Sequence, residues 1–317
     1  MTRFILTRAG LLVLAWLLAS VVIFATLRVL PGDVAQVIGG TNASPERIAE
    51  LREQLGLNQP LVTQYVSWMG GVLRGDLGTS ALTGQPVAAS LVEKAEVTLP
   101  LTALSLIVML IVALPLGVFA AYRANTAAGK IVTVSSTFAS AIPVVWAGLL
   151  GILVLSQWLG WLPSQGFPRE GWGDPLAALR ALILPALTIG LMEGAILFRF
   201  VRSATLRALE AEHVRAAMAR GRTRLRALLE YGLPGVGLSV VSMLGLQVAA
   251  LIVGAVVIEK LFSLPGLGSM LLTDVGDRDF PQVQGILLVL TGLILVIGAI
   301  VDVVHRMLDP RLKGAGE

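Results

Sequence analysis

The sequence predicts an all-α polytopic membrane protein with six transmembrane helices. Three observations carry that expectation. The chain is 56% hydrophobic and only 14% charged, against roughly 25% charged in a soluble domain. Its apolar residues gather in runs of about 20, the length that crosses a ~30 Å hydrocarbon core at 1.5 Å per residue. Charge is segregated between the runs, and the stretch Arg199–Pro234 alone holds eight arginines: Arg199, Arg202, Arg207, Arg215, Arg220, Arg222, Arg224 and Arg226. One arginine at a bilayer centre costs about 2.5–3.5 kcal/mol, so eight would cost more than about 20 kcal/mol. This stretch therefore lies in water.

Residues 1–30 form the first expected span. Arg3 and Arg8 precede the apolar run Ala9–Val29. A cleaved signal peptide would have a shorter apolar core and a small-x-small cleavage site. No such site precedes Pro31, so an uncleaved helix is expected. Residues 31–97 form an extracytoplasmic lobe on the membrane surface. Ser44, Pro45 and Glu46 read as an N-cap, a first-position proline and a first-turn acid. Ile48, Leu51 and Leu55 follow at helical spacing, and Gly56 stops the turn. A second short helix runs from Pro60 towards Leu73, ending at Gly75.

Residues 98–308 form the transmembrane core. The second span is Thr98–Tyr122, with Pro115 as a kink site. Arg123–Lys130 is a basic loop. Ile131–Leu159 is the third span, with Pro143 near its middle. Trp161, Phe167 and Trp172 in the next loop suit a membrane interface. The fourth span is Ala181–Phe198, followed by the arginine stretch as a cytoplasmic segment over 199–234. Gly235–Ile258 and Val283–Val304 are the fifth and sixth spans, separated by a loop containing Asp274, Asp277 and Asp279. Residues 309–317 are a polar cytoplasmic tail. No strong internal repeat, low-complexity tract or separate soluble domain is evident.

Six spans put both termini on one side. That side carries fifteen positive and five acidic residues; the other carries nine and thirteen. The basic side is therefore expected in the cytoplasm, with the protein in a bacterial inner membrane.

Much chemistry is absent from the sequence. It has no cysteine and only two histidines, His213 and His305, which argues against disulfides, thiolate sites and a histidine-built metal centre. There is no G-x-x-x-x-G-K-[ST], G-x-S-x-G or H-E-x-x-H pattern. The chain cannot bind ATP by a P-loop, and no nucleophile–base pair marks it as an enzyme. Both histidines read as solvated or interfacial.

The arginine stretch has finer structure. Arg215, Ala216 and Ala217 are followed by Gly221, then by Tyr231, Gly232, Leu233 and Pro234. Ala216, Ala217 and Gly221 make a small-residue face that could seat in a groove of another protein. Gly221 can end a helix in a left-handed cap, and Pro234 can start the next. A basic amphipathic segment lying on anionic lipid fits the composition equally well.

This spacing resembles the EAA motif of ABC-importer permeases, E-A-A-x3-G-x9-I-x-L-P. Ala216, Ala217, Gly221, Leu233 and Pro234 fall on pattern positions; Arg215 replaces the acid and Tyr231 the isoleucine. Further stretches are similar to the first (B-type) permease subunit of the dipeptide/oligopeptide/nickel family across nearly the whole chain. They are Leu30–Asp33, LGLNQPLVTQY (Leu55–Tyr65), RGDLGTS (Arg74–Ser80), LGWLP (Leu159–Pro163), LILPALT (Leu182–Thr188), VVIEKLFSLPGLG (Val256–Gly268), RDFPQVQG (Arg278–Gly285) and LDPRLK (Leu308–Lys313). The resemblance implies a type I importer fold. It also implies partners: a second homologous permease, two ABC ATPases that bind the ATP and magnesium, and an extracytoplasmic substrate-binding protein. Nucleic acid is not among them, and no cofactor is expected in this chain. The resemblance makes Arg215, Ala216, Ala217, Gly221, Leu233 and Pro234 the coupling contact with an ATPase. It leaves the substrate open among peptides, nickel chelates, glutathione and opines.

Glu193 lies deep in the fourth span. Such acids line water paths or meet partners, but Gly190 and Gly194 beside it also suit a close helix contact. Asp302 is placed for an ion pair with Arg306 four residues on. Asp274, Asp277, Asp279 and the 31–97 lobe are candidates for docking the binding protein. The competing reading is a self-contained ion-coupled secondary transporter using Glu193 and Asp302, although the inverted repeat of such folds is not seen.

Overall fold

The computed structural model describes residues 2–29, 34–40, 43–54 and 56–308. The Leu30–Asp33 stretch, Leu55 and the expected tail 309–317, with most of the LDPRLK stretch, lie outside the described residues. Every extended element is a helix, and no β-strand occurs among the described residues. Among the described residues, five helices are long and apolar enough to cross a membrane, and a bent helix pair makes a sixth candidate.

The chain parts into two compact units. The first takes in the described residues up to Thr98 together with Pro265–Val296. Helix α1 (Thr2–Val29) enters it. Near the end of α1, Phe24 packs edge-on to Tyr65 and stacks on Trp68, with ring centroids 5.5 and 6.0 Å apart. Such pairs contribute about 0.5–1.5 kcal/mol beyond the area they bury. Tyr65 and Trp68 belong to α4 (Leu61–Val72). The Ser20 hydroxyl meets the Tyr65 hydroxyl at 2.8 Å. Ile23 and Leu27 pack with Phe280 and Val283 of α13 (Phe280–Leu308). The indole of Trp16 donates to the Leu288 carbonyl of the same helix at 3.3 Å.

Two short helices, α2 (Val34–Gly39) and α3 (Pro45–Gln54), complete the small lobe. Ser44 caps α3 as expected, its hydroxyl accepting from the Arg47 amide. Glu46 sits in the first turn, where backbone and Ser44 hydrogen bonds hold its carboxyl below the ordinary range.

The second unit holds Leu99–Leu264 and the described residues from Ile297. Helix α5 (Val87–Tyr122) begins eleven residues before the expected second span and stays helical through Pro100 and Pro115. The expected third span is broken. Helix α6 (Ala127–Ala141) and α7 (Val144–Gly151), which a π-helical stretch extends to Trp158, meet at 103°. Ile142 is extended because it precedes Pro143, and that proline offers no amide to continue the helix. The fourth span does not end at Phe198: α8 runs unbroken from Pro175 to Glu210. Helix α11 (Leu233–Leu261) packs against it. Helix α12 (Leu267–Asp277) lies in the first unit, between α11 and α13 in the chain.

Glycines set the closest approaches. A Cβ on Gly190 of α8 would stand 2.6 Å from the Ser105 carbonyl and 2.7 Å from Val108 Cβ, both on α5. Only glycine lets these backbones touch so closely.

Candidate coupling site

The arginine stretch begins as the end of α8, and beyond Glu210 it folds into a short helix held between two sharp breaks. Ala211 alone is extended (φ −64°, ψ 140°), ending α8 and opening α9 (Glu212–Ala219). Glu212 stands in the first turn of α9, where the helix dipole favours an acid. At the other end Gly221 takes φ +89°. Its amide donates to the Met218 carbonyl at 3.0 Å, and the Arg222 amide donates to the Ala217 carbonyl at 3.2 Å. That pair of bonds is a Schellman cap, as the sequence predicts for Gly221.

Thr223 then caps α10 (Arg224–Ala227), its hydroxyl accepting from the Arg226 amide. A π-helical turn, Leu228–Gly232, leads into α11 with Pro234 in its first turn. Proline brings no amide and its ring crowds the carbonyl four residues back. The wider π turn accommodates this: the Leu233 amide reaches the Leu228 carbonyl five residues back.

One face of α9 packs inward. Val214, Ala217 and Ala227 form a buried cluster, with Ala211 and Met218 against it. Arg215, Ala216 and Gly221 are exposed, Leu233 is half-buried and Pro234 exposed. The expected small-residue face is therefore split. Ala217 is only 1% exposed and is spent on the chain's own core; Ala216, one residue earlier, presents outward beside Arg215. Arg222 and Glu230 approach to 3.6 Å across the break. His213 Nε2 lies 3.2 Å from the Tyr231 carbonyl. His213 and His305 line one cavity of about 760 Å³ with Tyr231 and Ser239. No group of three or more metal-binding side chains occurs among the described residues.

Glu193 is half-buried in α8. Gln247 of α11 donates from Nε2 to the Glu193 carbonyl at 3.3 Å and to its carboxylate at 3.4 Å. Gln247 is itself buried and lies 3.7 Å from Met109 Sδ. The acid thus serves a hydrogen-bonded contact between α8 and α11, beside the tight glycine crossing with α5.

The three acids expected in a loop have different fates, and two of them, Asp274 and Asp277, stand on α12. Asp277 is exposed. Asp279 is 1% exposed. Its carboxylate accepts from the Ser80 hydroxyl at 2.5 Å and from the Ala81 amide at 3.0 Å. It also caps α13 by accepting from the Gln282 amide at 3.4 Å. Asp279 therefore closes a bend of the first unit and presents no charge outward. Asp274 is also buried. Burial, and then the charges of Asp279 and Asp277, push its carboxyl up to about 6.

Two family descriptions together cover nearly the whole chain. Residues 113–314 match the binding-protein-dependent transport system inner membrane component. Residues 1–102 match the N-terminal part of the membrane component of such systems. The chain belongs to this permease family. It is 34% identical over 313 residues to a putative peptide transport system permease protein of Brucella abortus (strain 2308), covering 99% of each chain. It is 33% identical to a probable peptide ABC transporter permease protein of Sinorhizobium fredii, covering 98% of this chain and 99% of that one. The dipeptide transport system permease protein DppB of Escherichia coli (strain K12) is 33% identical, with 99% of each covered. The protein is thus a multi-pass membrane permease of the ABC importer kind.

Gln247 and Ser80 of this permease escaped sequence reasoning, because their partners lie 54 and 199 residues away. The inward turn of Ala217 had a readable signal. Val214 and Ala217 are three residues apart, one helical face, and Val214 is the apolar residue that fixes which face is buried.

Proposed function

We propose that this chain is the pore-forming permease subunit of an ATP-driven importer for di- or oligopeptides, coupled to its ATPase through α9. A second homologous permease completes the pathway, two ATPase subunits bind ATP and magnesium, and an extracytoplasmic binding protein delivers the solute. Both termini and α9 lie in the cytoplasm, as the charge segregation favours. This chain holds no cofactor of its own.

The observation that carries the reading is the build of α9. The helix is stopped at both ends, by Ala211 and by the Gly221 cap, and is pinned through Val214 and Ala217. A pad so held moves as one body. A push on its exposed face is passed to α8 directly and to α11 through α10 and the π turn. The ATPases would close on ATP, displace the pad and switch the spans between inward-open and outward-open arrangements. Peptide cargo is supported by the relatives, whose names refer to peptide or dipeptide transport.

The test is Ala216→Trp in the assembled transporter. Ala216 is exposed, so the variant permease inserts and folds while the ATPase contact is blocked. Peptide uptake and substrate-stimulated ATP hydrolysis should both fall at least tenfold, with less ATPase co-purifying. Undiminished transport by an intact variant complex would defeat the coupling assignment. Peptide uptake by the purified chain alone, driven by an ion gradient, would defeat the whole reading.

A further inference from the structure

A large apolar cavity opens between α5 and α11 in the second unit. It measures about 680 Å³, within the size range of sites that hold small organic ligands. Leu110, Leu114 and Val118 line it from α5, Val240 and Leu244 from α11, and Val201 of α8 also borders it. The α5 wall runs from Leu110 to Tyr122, about 18 Å at 1.5 Å per residue. That is close to one leaflet of a ~30 Å hydrocarbon core.

The two ends of this cavity differ in chemistry. The Leu110 end lies among the apolar residues in the middle of the span. The Tyr122 end lies at the arginine-rich face. Tyr122 itself lines the cavity, and the Arg224 guanidinium stands over its ring, 5.2 Å from the centroid. Arg123 follows Tyr122 directly. Both arginines are exposed. An apolar slot one leaflet deep, with one cation over its rim at Tyr122 and a second next in the chain, matches an acyl chain below an anionic headgroup.

We infer that this cavity binds an anionic phospholipid of the surrounding membrane, with one acyl chain between α5 and α11 and the headgroup phosphate at Arg123 and Arg224. No residue of α9 lines the cavity, although Leu233 of the coupling set borders it, and the inference does not depend on the coupling assignment. Basic residues at such a depth attract anionic lipid at about 1 kcal/mol each. Two of them give a preference of about 10–30-fold over a zwitterionic lipid.

Native mass spectrometry of the delipidated full chain tests this, alone and co-purified with its second permease. The probes are palmitoyl-oleoyl phosphatidylglycerol and palmitoyl-oleoyl phosphatidylcholine. The first phosphatidylglycerol should bind at least tenfold more tightly than the first phosphatidylcholine. Arg123→Gln with Arg224→Gln should bring the two lipids within threefold of each other. Leu114→Phe with Val118→Phe, which fills the slot, should weaken both by at least tenfold. If the filled variant does not fold, the arginine pair decides alone, since both residues are exposed. Equal affinity for the two lipids in the unaltered chain overturns the inference. So does an unchanged preference in the arginine pair, or unchanged binding by a folded filled variant. Loss of the lipid whenever the second permease is present also overturns it, and makes the cavity a subunit interface.

Discussion

Replacing Gly221 by alanine isolates the cap that ends α9. Gly221 holds φ +89°, and a Cβ built there meets no atom within 4 Å. The cost is therefore conformational and not steric. An L-residue in this region loses roughly 1–2 kcal/mol, which changes a local equilibrium by a factor of about 5–30. The bonds at stake are the Gly221 and Arg222 amides on the Met218 and Ala217 carbonyls. Hydrogen exchange of the chain in lipid nanodiscs reads them directly. Gly221→Ala should accelerate exchange over Met218–Arg222 by about 5–30-fold and leave the middle of α8 unchanged. Asparagine tolerates the left-handed region better than alanine, so Gly221→Asn should recover part of the protection. In the assembled transporter the alanine variant should couple poorly, because the pad has lost its fixed end. Equal protection in wild type and Gly221→Ala, or worse protection with asparagine than with alanine, would refute the reasoning.

The remaining predictions concern packing and charge. Gly190→Ala forces a methyl to within 2.6 Å of a backbone carbonyl on α5; overpacking of this kind costs about 1–3 kcal/mol, measurable as a fall in melting temperature. Gly235→Ala is the matched control, since its added Cβ meets nothing within 4 Å, and it should leave the melt unchanged or raise it by the ~0.5–1 kcal/mol gained from helix propensity. Asp279→Ala leaves the Ser80 hydroxyl and the Ala81 amide without their acceptor, at about 1–3 kcal/mol for each buried orphan; limited proteolysis near residues 76–84 should speed up clearly, while Asp277→Ala, at an exposed site, should not change it. Asp274 holds its proton up to about pH 6, against an ordinary 3.8. The folded form thus keeps a proton that the unfolded chain gives up, so the stability this group adds is full below about pH 3.8 and lost as pH rises through about 6. Hydrogen exchange over 267–285 should show protection falling across that window, and Asp274→Asn should remove the slope.

The spans were legible because length and hydropathy are local properties. Five of the six apolar runs read along the chain reappear as single helices and the third as a bent pair, and Ser44, Gly221 and Pro234 behave as their backbone chemistry requires. What the sequence concealed depends on residues far apart. Nothing near Asp279 shows that Ser80, 199 residues away, will take up its carboxylate, so three acids that look alike in a loop separate into one exposed and two buried groups. Glu193 likewise gives no local sign of its partner Gln247, 54 residues on. The break at Ile142–Pro143 lies between these cases. Proline's effect on its predecessor is local, but hydropathy alone runs straight through it; the local rule marks where the helix breaks, and the structure gives the bend as 103°. Ala216 and Ala217 show the same lesson at the smallest scale. Identical side chains in adjacent positions acquire opposite roles because a helix turns about 100° per residue. Val214 draws Ala217 into the core and leaves Ala216 outside. The family motif marks both alanines, yet the physics asks different things of them. Ala217 is buried and must be small so that α9 can seat on its own chain, whereas Ala216 is exposed, and its small size matters only under the proposed coupling, where another surface would seat on α9.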